Sequence, residues 1–137
     1  MGECIFCKIV KGEIPSTKLF ENESVLSFLD IMPAAKGHAL VIPKKHYATL
    51  LDVPPEELKE VMEAVQKVAA AVMNSVESAE GFNVIQSNKE VAGQVIPHVH
   101  FHIIPRGKED NLNFSWELGK AEQEELAKYA EMVKGKL

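Results

Sequence analysis

The feature that most constrains the fold is an alternating run of histidines in the second half of the chain. His98, His100 and His102 are separated by single apolar residues, so three of the five histidines fall within one short stretch. Side chains at i, i+2 and i+4 share one face of a β-strand. The spacing predicts a strand over residues 98–104 with three imidazoles on one face. The opposite face should enter the core through Val99, Phe101 and Ile103.

A row of imidazoles indicates a reaction centre or a metal site. Imidazole exchanges protons near neutral pH, acts as a nucleophile and binds metals. One ion held by all three side chains is excluded, because the run spans about 13 Å and metal–nitrogen bonds are about 2 Å long. A solvent-facing strand without function remains the structural alternative.

Length and composition indicate one globular domain over residues 1–137, with 46% hydrophobic and 26% charged residues. A net charge of −5 argues against binding polymeric nucleic acid, which requires a basic face. No apolar run is long enough for a membrane span, and residues 1–4 do not resemble a secretory leader. The expected location is the cytoplasm.

The two cysteines form a Cys-x-x-Cys pair, Cys4 and Cys7. Zinc requires four ligands, and His46 and His98 are available as the second pair. The alternative is that both cysteines are small apolar fillers of the core. The pair alone leaves these two interpretations open.

Hydrophobic periodicity predicts an α+β fold with an antiparallel sheet. A tight turn at Asn22–Glu23 should join the first two strands, and an apolar stripe predicts a long helix that begins at Pro54–Pro55 and reaches about Val72. A second helix is expected over about residues 119–134 and a loop over residues 87–94. The predicted strands cover residues 17–21, 24–29, 38–42, 82–86 and 98–104.

Four segments, in this order along the chain, resemble the histidine triad (HIT) family. The family signature alternates histidine with apolar residues and ends in two apolar residues, and residues 98–104 fit it at every position. The resemblance covers most of residues 3–106 and includes the zinc-binding, bacterial-type pattern. The other matching segments are residues 4–10, 27–31 and 37–46, with Ala92-Gly93-Gln94 before the triad and Ile104-Pro105-Arg106 at its end.

The resemblance implies a five-stranded antiparallel sheet with two helices, in a homodimer whose sheets join. It implies a nucleotide hydrolase or nucleotidyl transferase that cleaves at the α-phosphorus of a nucleoside phosphoramidate, an adenylated amine or a dinucleoside polyphosphate. Transfer to phosphate in place of water stays open, as does a noncatalytic nucleotide-binding or scaffold role. The expected ligand is a purine nucleotide derivative.

The resemblance assigns catalytic roles to three histidines. His100 matches the nucleophile, which forms a nucleotidyl-histidine while a backbone carbonyl fixes its second nitrogen. His102 matches the residue that contacts the phosphate oxygens. His38 matches a supporting histidine beside the triad.

The same resemblance assigns the nucleotide-binding residues. Asp30 matches the acid that binds the ribose hydroxyls. Gly93 and Gln94 match a loop that approaches the phosphates through backbone N–H groups. Ser87 or Asn88 occupies the place of an amide that contacts substrate. The walls of the base pocket match Phe6, Phe28, Leu29 and Ile31, with Ile5 as a further candidate.

Val95 departs from the family pattern, because some members carry Ser or Thr there with a hydroxyl directed at the leaving group or phosphate. Valine has no hydrogen-bond donor in its side chain, so the leaving group either departs without assistance or is assisted by another residue.

The family also gives a role to the cysteine pair. Some bacterial-type members bind a structural zinc through four positions that correspond to Cys4, Cys7, His46 and His98. Four protein ligands leave no open position, so such a zinc is structural. No organic cofactor is expected.

Overall fold

The computed structural model describes residues 4–137. Residues 1–3, which were compared with a secretory leader above, lie outside this part. The elements follow the order α1 (Ile5–Val10), β1 (Lys18–Glu21), β2 (Val25–Leu29), β3 (Ala39–Pro43), α2 (Pro55–Ser75), β4 (Gly81–Ile85), β5 (Phe101–Arg106) and α3 (Gln123–Lys134).

The five strands form one antiparallel sheet in the order β1-β2-β3-β5-β4. The predicted α+β class, with a five-stranded antiparallel sheet and two main helices, is confirmed. Asn22 closes the first turn as expected, because its side-chain oxygen accepts hydrogen bonds from the N–H groups of Ser24 and Val25, both at 2.9 Å.

Each face of the sheet has its own hydrophobic core. On one face, α2 packs its apolar stripe against strand residues that include Val41, Phe101 and Ile103. On the other face, α1 packs Phe6 and Ile9 against β2 and β3. Every residue of β3 is buried, as expected for a central strand covered on both sides.

β5 begins three residues later than predicted, so His98 and His100 precede the strand. The cause is Pro43 in β3. Val41 pairs with Phe101, and continuing this antiparallel register places Pro43 opposite Val99. Proline has no N–H for the ladder, and the Val99 N–H donates instead to the Tyr47 carbonyl at 2.7 Å. The predicted inward face nevertheless holds, since Phe101 and Ile103 lie in the core under α2 and Val99 is fully buried.

Two helices differ from the prediction. The short α1 was not predicted at all, because it has only six residues and its N-cap is a cysteine. The last helix, α3, begins at Gln123 and not near residue 119, and none of its residues is buried. Within residues 4–137, no helix has both the length and the apolar character needed to cross a bilayer.

Candidate active site and metal-ligand cluster

His100 has one ring nitrogen fixed and the other available. Its Nδ1 lies 2.7 Å from the carbonyl oxygen of His98, so Nδ1 carries the proton and donates to that oxygen. The neutral tautomer that results has its lone pair on Nε2. His100 is 8% exposed and lines a cavity, so this lone pair belongs to a nearly buried imidazole with the chemistry of a nucleophile.

His38 and His102 form a hydrogen-bonded chain beside His100. The Ala34 N–H donates to His38 Nδ1 at 2.9 Å, which leaves the proton of His38 on Nε2. His38 Nε2 then donates to His102 Nδ1 at 3.0 Å, so neutral His102 carries its own proton on Nε2. The rings of His102 and His100 have centroids 4.9 Å apart, so an N–H donor and an imidazole lone pair lie side by side.

Burial keeps His38 and His102 neutral. It lowers the pKa of His102 to about 4, with the neighbouring His100 and His38 acting in the same direction. Burial also lowers the pKa of His38, although the nearby Asp30 carboxylate opposes that shift. At neutral pH, His102 therefore acts as an uncharged N–H donor.

Asp30 lies at the end of β2, beside the histidine chain. One carboxylate oxygen accepts the Met32 N–H at 2.8 Å, and the other lies 3.6 Å from His38 Nε2. The second oxygen makes no close hydrogen bond there, so it has capacity to accept from a ligand hydroxyl.

A cavity of about 440 Å³ connects these polar groups to an apolar wall. His100, His102 and Asp30 lie among its lining residues. All of the predicted base-pocket residues also line it: Ile5, Phe6, Phe28, Leu29 and Ile31. The sequence analysis missed five further apolar lining residues, Ile9, Ile14, Met32, Leu40 and Ile96, because an apolar residue carries no sequence signal that separates pocket from core.

The loop before the triad is braced from within. Gly93 has a φ of +96°, a left-handed conformation that suits glycine. The N–H of Gly93 donates to the Glu90 carbonyl, and that of Gln94 to the Lys89 carbonyl. These two N–H groups are therefore already used inside the loop. The N–H of Val95 has no acceptor among the described residues, and Val95 lines the cavity.

The side chains of Gln94 and Asn88 also brace this loop. Gln94 donates to the Ala48 carbonyl at 2.7 Å and accepts the Lys89 N–H at 2.6 Å. Asn88 accepts the Leu50 N–H at 2.7 Å and exchanges hydrogen bonds with Gln86. Neither these residues nor Ser87 lies in the cavity lining, so their direct contact with substrate stays a prediction.

The four predicted metal ligands converge in one cluster, which we call the metal-ligand cluster: Cys4, Cys7, His46 and His98. Their ligand atoms all lie within 4.8 Å of one another. The Nδ1 of His98 lies 3.4 Å from Cys4 Sγ and 3.6 Å from Cys7 Sγ, while His46 Nδ1 lies 3.4 Å from Cys7 Sγ.

This geometry fits a tetrahedral Cys₂His₂ site. With Zn–S near 2.3 Å and Zn–N near 2.05 Å, tetrahedral angles place sulfur and nitrogen about 3.6 Å apart. His98 Nε2 lies 2.8 Å from the Pro43 carbonyl and donates to it, which leaves the lone pair on Nδ1 directed at the sulfurs. Burial lowers the pKa of His98 to about 4, so its imidazole is neutral, as a ligand must be.

The predicted row of three imidazoles is thus divided between two sites. His98 is fully buried in the metal-ligand cluster, whereas His100 and His102 line the cavity. The sequence analysis assigned His98 to the metal ligands and His100 and His102 to the nucleotide site. It did not predict that the His98 carbonyl is the acceptor for His100.

Comparison with known proteins identifies the family of this chain. The family model described as HIT domain matches residues 11–109. Adenosine 5'-monophosphoramidase HNT1 of Candida albicans is 43% identical over 140 residues, which cover 99% of this chain and 92% of that protein.

Two solved structures are similar over nearly the whole chain. A member of the HIT family from Bacillus subtilis superposes with a TM-score of 0.94 at 39% identity, covering 98% of this chain and 97% of that one. A Zn-bound histidine triad family protein from Mycobacterium smegmatis gives a TM-score of 0.77 at 35% identity, covering 98% of each chain. The family match, the sequence identity and the similarity of fold agree, and the chain belongs to the HIT domain family.

Proposed function

We propose that this chain is a nucleotide hydrolase or nucleotidyl transferase that acts at the α-phosphorus through a covalent intermediate on His100. The observation that carries the proposal is the fixed tautomer of His100, whose Nδ1 donates to the His98 carbonyl at 2.7 Å. An imidazole held in this way presents the Nε2 lone pair to the cavity, which is what nucleophilic attack requires. The similarity to a relative named as an adenosine 5'-monophosphoramidase supports the same reaction class.

The proposed reaction has two displacements. His100 Nε2 forms a bond to the α-phosphorus, and the bond from phosphorus to the leaving group breaks. The leaving group departs with that electron pair and takes one proton from solvent. Water then attacks the phosphorus, loses one proton to solvent, and releases the nucleoside monophosphate with neutral His100 restored. Inorganic phosphate in place of water would give the transfer reaction.

The cavity suits each part of a nucleoside monophosphate. The apolar wall formed by Phe6, Phe28, Leu29 and Ile31 suits a purine base. The second carboxylate oxygen of Asp30 can accept further hydrogen bonds, which suits the ribose hydroxyls. For the phosphate oxygens we propose two donors, His102 Nε2 and the Val95 N–H, while Gly93 and Gln94 shape the loop that carries them.

We also propose that the metal-ligand cluster holds a structural zinc. Four ligands with tetrahedral spacing support a closed site, and a Zn-bound relative with the same fold supports the identity of the metal. Bound there, zinc would tie α1 and the segment before β5 together without entering the reaction. Such a site needs reduced thiols, which supports action in the cytoplasm.

A homodimer is the proposed assembly. β4 is an edge strand, and its Phe82 and Val84 remain 44% and 42% exposed beside Met62 of α2. An edge of this kind can pair with a second copy, which would extend the sheet and bury these side chains. Light scattering of the parent chain and of Val84→Lys tests this: a dimer that the substitution dissociates supports the proposal, and a monomeric parent contradicts it.

The decisive experiment is intact-protein mass spectrometry after acid-free quenching of a reaction with adenosine 5'-phosphoramidate, with His100→Ala run in parallel. We expect a transient gain of one adenylyl group on the parent chain at His100, and none on the variant. Monophosphate formed equally well by His100→Ala would contradict covalent catalysis. Tight AMP binding without any turnover would support the noncatalytic alternative.

A further inference from the structure

Phe6 forms a physical link between the metal-ligand cluster and the cavity. Its ring packs edge-on against the ring of His98, a member of the cluster, with centroids 5.8 Å apart. The same ring packs edge-on against His100 at 5.2 Å and against Phe28 at 5.6 Å. Phe6 is 5% exposed, so a shift of this ring would be felt on both sides.

The cluster also holds the start of α1, the helix that carries Phe6. Cys4 is the N-cap residue, and its Sγ accepts the N–H of Cys7 at 3.4 Å. Both sulfurs lie in the metal-ligand cluster. A helix of six residues is too short to be stable alone, so its position depends on what it is attached to.

α1 in turn supplies one wall of the cavity, through Ile5, Phe6 and Ile9. We propose that metal binding at the cluster and nucleotide binding in the cavity are positively coupled through α1, with Cys4 and Cys7 as positioning residues for the nucleotide. This inference rests on the proposed nucleotide site. A metal that holds Cys4 and Cys7 fixes the first turn of α1, and the fixed turn sets the apolar wall against which the base packs.

The experiment measures AMP affinity by calorimetry with the Zn²⁺-loaded chain and with the chain depleted of metal by a chelator under reducing conditions. We expect depletion to weaken AMP binding by about tenfold, within the usual range for coupled sites. Linkage is reciprocal, so saturating AMP must lower the Kd for Zn²⁺, measured by competition with a chelator, by the same factor. Equal AMP affinity in the two forms would overturn the inference.

Two variants separate the link through α1 from general destabilisation. Phe6→Leu keeps all four ligands but removes the ring between the sites, so AMP should no longer protect the bound Zn²⁺ from the chelator. Val10→Ala is the matched control, because Val10 lies on the same helix and packs against the hydrophobic core between α1 and the sheet, but does not line the cavity. We expect Val10→Ala to keep the coupling, and equal loss in both variants would overturn the inference.

The controls also separate this inference from the proposed function. A Zn²⁺-loaded parent chain that binds no AMP would contradict the nucleotide site itself. AMP binding that is tight but independent of Zn²⁺ would leave the site intact and overturn only the coupling. If the depleted chain loses its circular dichroism, the comparison of Phe6→Leu with Val10→Ala in the loaded form still decides.

Discussion

His98 and His100 are two residues apart, and they present opposite ring nitrogens. His98 donates from Nε2 to the Pro43 carbonyl and turns Nδ1 toward the cysteine sulfurs. His100 donates from Nδ1 to the His98 carbonyl and keeps the Nε2 lone pair. The backbone acceptor that each ring finds therefore decides which nitrogen is available, and the site that this nitrogen faces, the cysteine sulfurs or the cavity, differs between the two residues.

The largest expected effect comes from removing the nucleophilic member of this pair. In His100→Ala, turnover of adenosine 5'-phosphoramidate should fall on the order of 10⁴-fold or more, because no other group in the cavity replaces a covalent nucleophile. The thermal transition of the variant in Zn²⁺ should stay close to that of the parent. Steady-state kinetics and calorimetry check both halves, and a loss below tenfold would contradict the assignment.

Removing a ligand from the metal-ligand cluster should act mainly on stability. Cys4→Ser removes one thiolate ligand, so the variant should lose the stabilisation that Zn²⁺ gives the parent chain. That stabilisation is about 4 kcal/mol when free Zn²⁺ exceeds its Kd a thousandfold. Urea unfolding of both chains, with Zn²⁺ and with a chelator, measures it. A free energy of unfolding that responds equally to Zn²⁺ in both chains would contradict a Cys₂His₂ site.

The histidine chain behind the cavity should show an intermediate effect. His38→Ala removes the N–H that fixes the tautomer of His102, so kcat should fall about tenfold to hundredfold, comparable to one lost hydrogen bond to a charged group. His38→Gln retains an amide donor and should lose less. If the two variants lose equally, a simple packing role of His38 explains the loss better.

His102 should also make stability depend on pH. Its folded-state pKa is about 4, below the ordinary value of 6.5, so the unfolded chain binds the extra proton first as the pH falls. The contribution of His102 to the free energy of unfolding is therefore complete above pH 6.5 and declines toward pH 4. The slope is at most about 1.4 kcal/mol per pH unit, less what solvent screening removes. Urea unfolding of the parent and of His102→Asn should differ in this slope, and identical slopes would contradict the shift.

The sequence predicted the parts of the site that periodicity controls. Alternation placed Phe101 and Ile103 in the core and His102 on the opposite side, since a strand imposes that pattern, and His100, just before the strand, also lines the cavity. It could not predict where β5 begins, because the break depends on Pro43 in a neighbouring strand. It also missed α1, whose N-cap is a thiol and not one of the usual capping side chains.

The loop at residues 89–96 shows a second limit. The resemblance assigned Gly93 and Gln94 to a loop that approaches the phosphates through backbone N–H groups, and the N–H groups of these two residues donate within the loop. Lys89, which has a φ of +73°, supplies the carbonyl that accepts the Gln94 N–H, and Glu90 supplies the one that accepts the Gly93 N–H. No residue pattern signals such a turn, so only the folded loop shows that the Val95 N–H has no acceptor within residues 4–137.

The smallest effect concerns the side chain of Val95, which lines the cavity but cannot donate a hydrogen bond. Two adenosine 5'-phosphoramidates that carry different amines as leaving groups test this position. In Val95→Ser, the new hydroxyl should assist the departure of a basic alkylamine and leave the departure of a weakly basic arylamine unaffected. The expected gain in kcat/KM for the alkylamine is about twofold to tenfold, as for one net hydrogen bond. Val91→Ser is the matched control, because Val91 is 98% exposed in the same loop and does not line the cavity. An equal gain for both leaving groups, or the same gain in the control, would mean that the hydroxyl acts on the loop and that the leaving group of this chain departs without help from position 95.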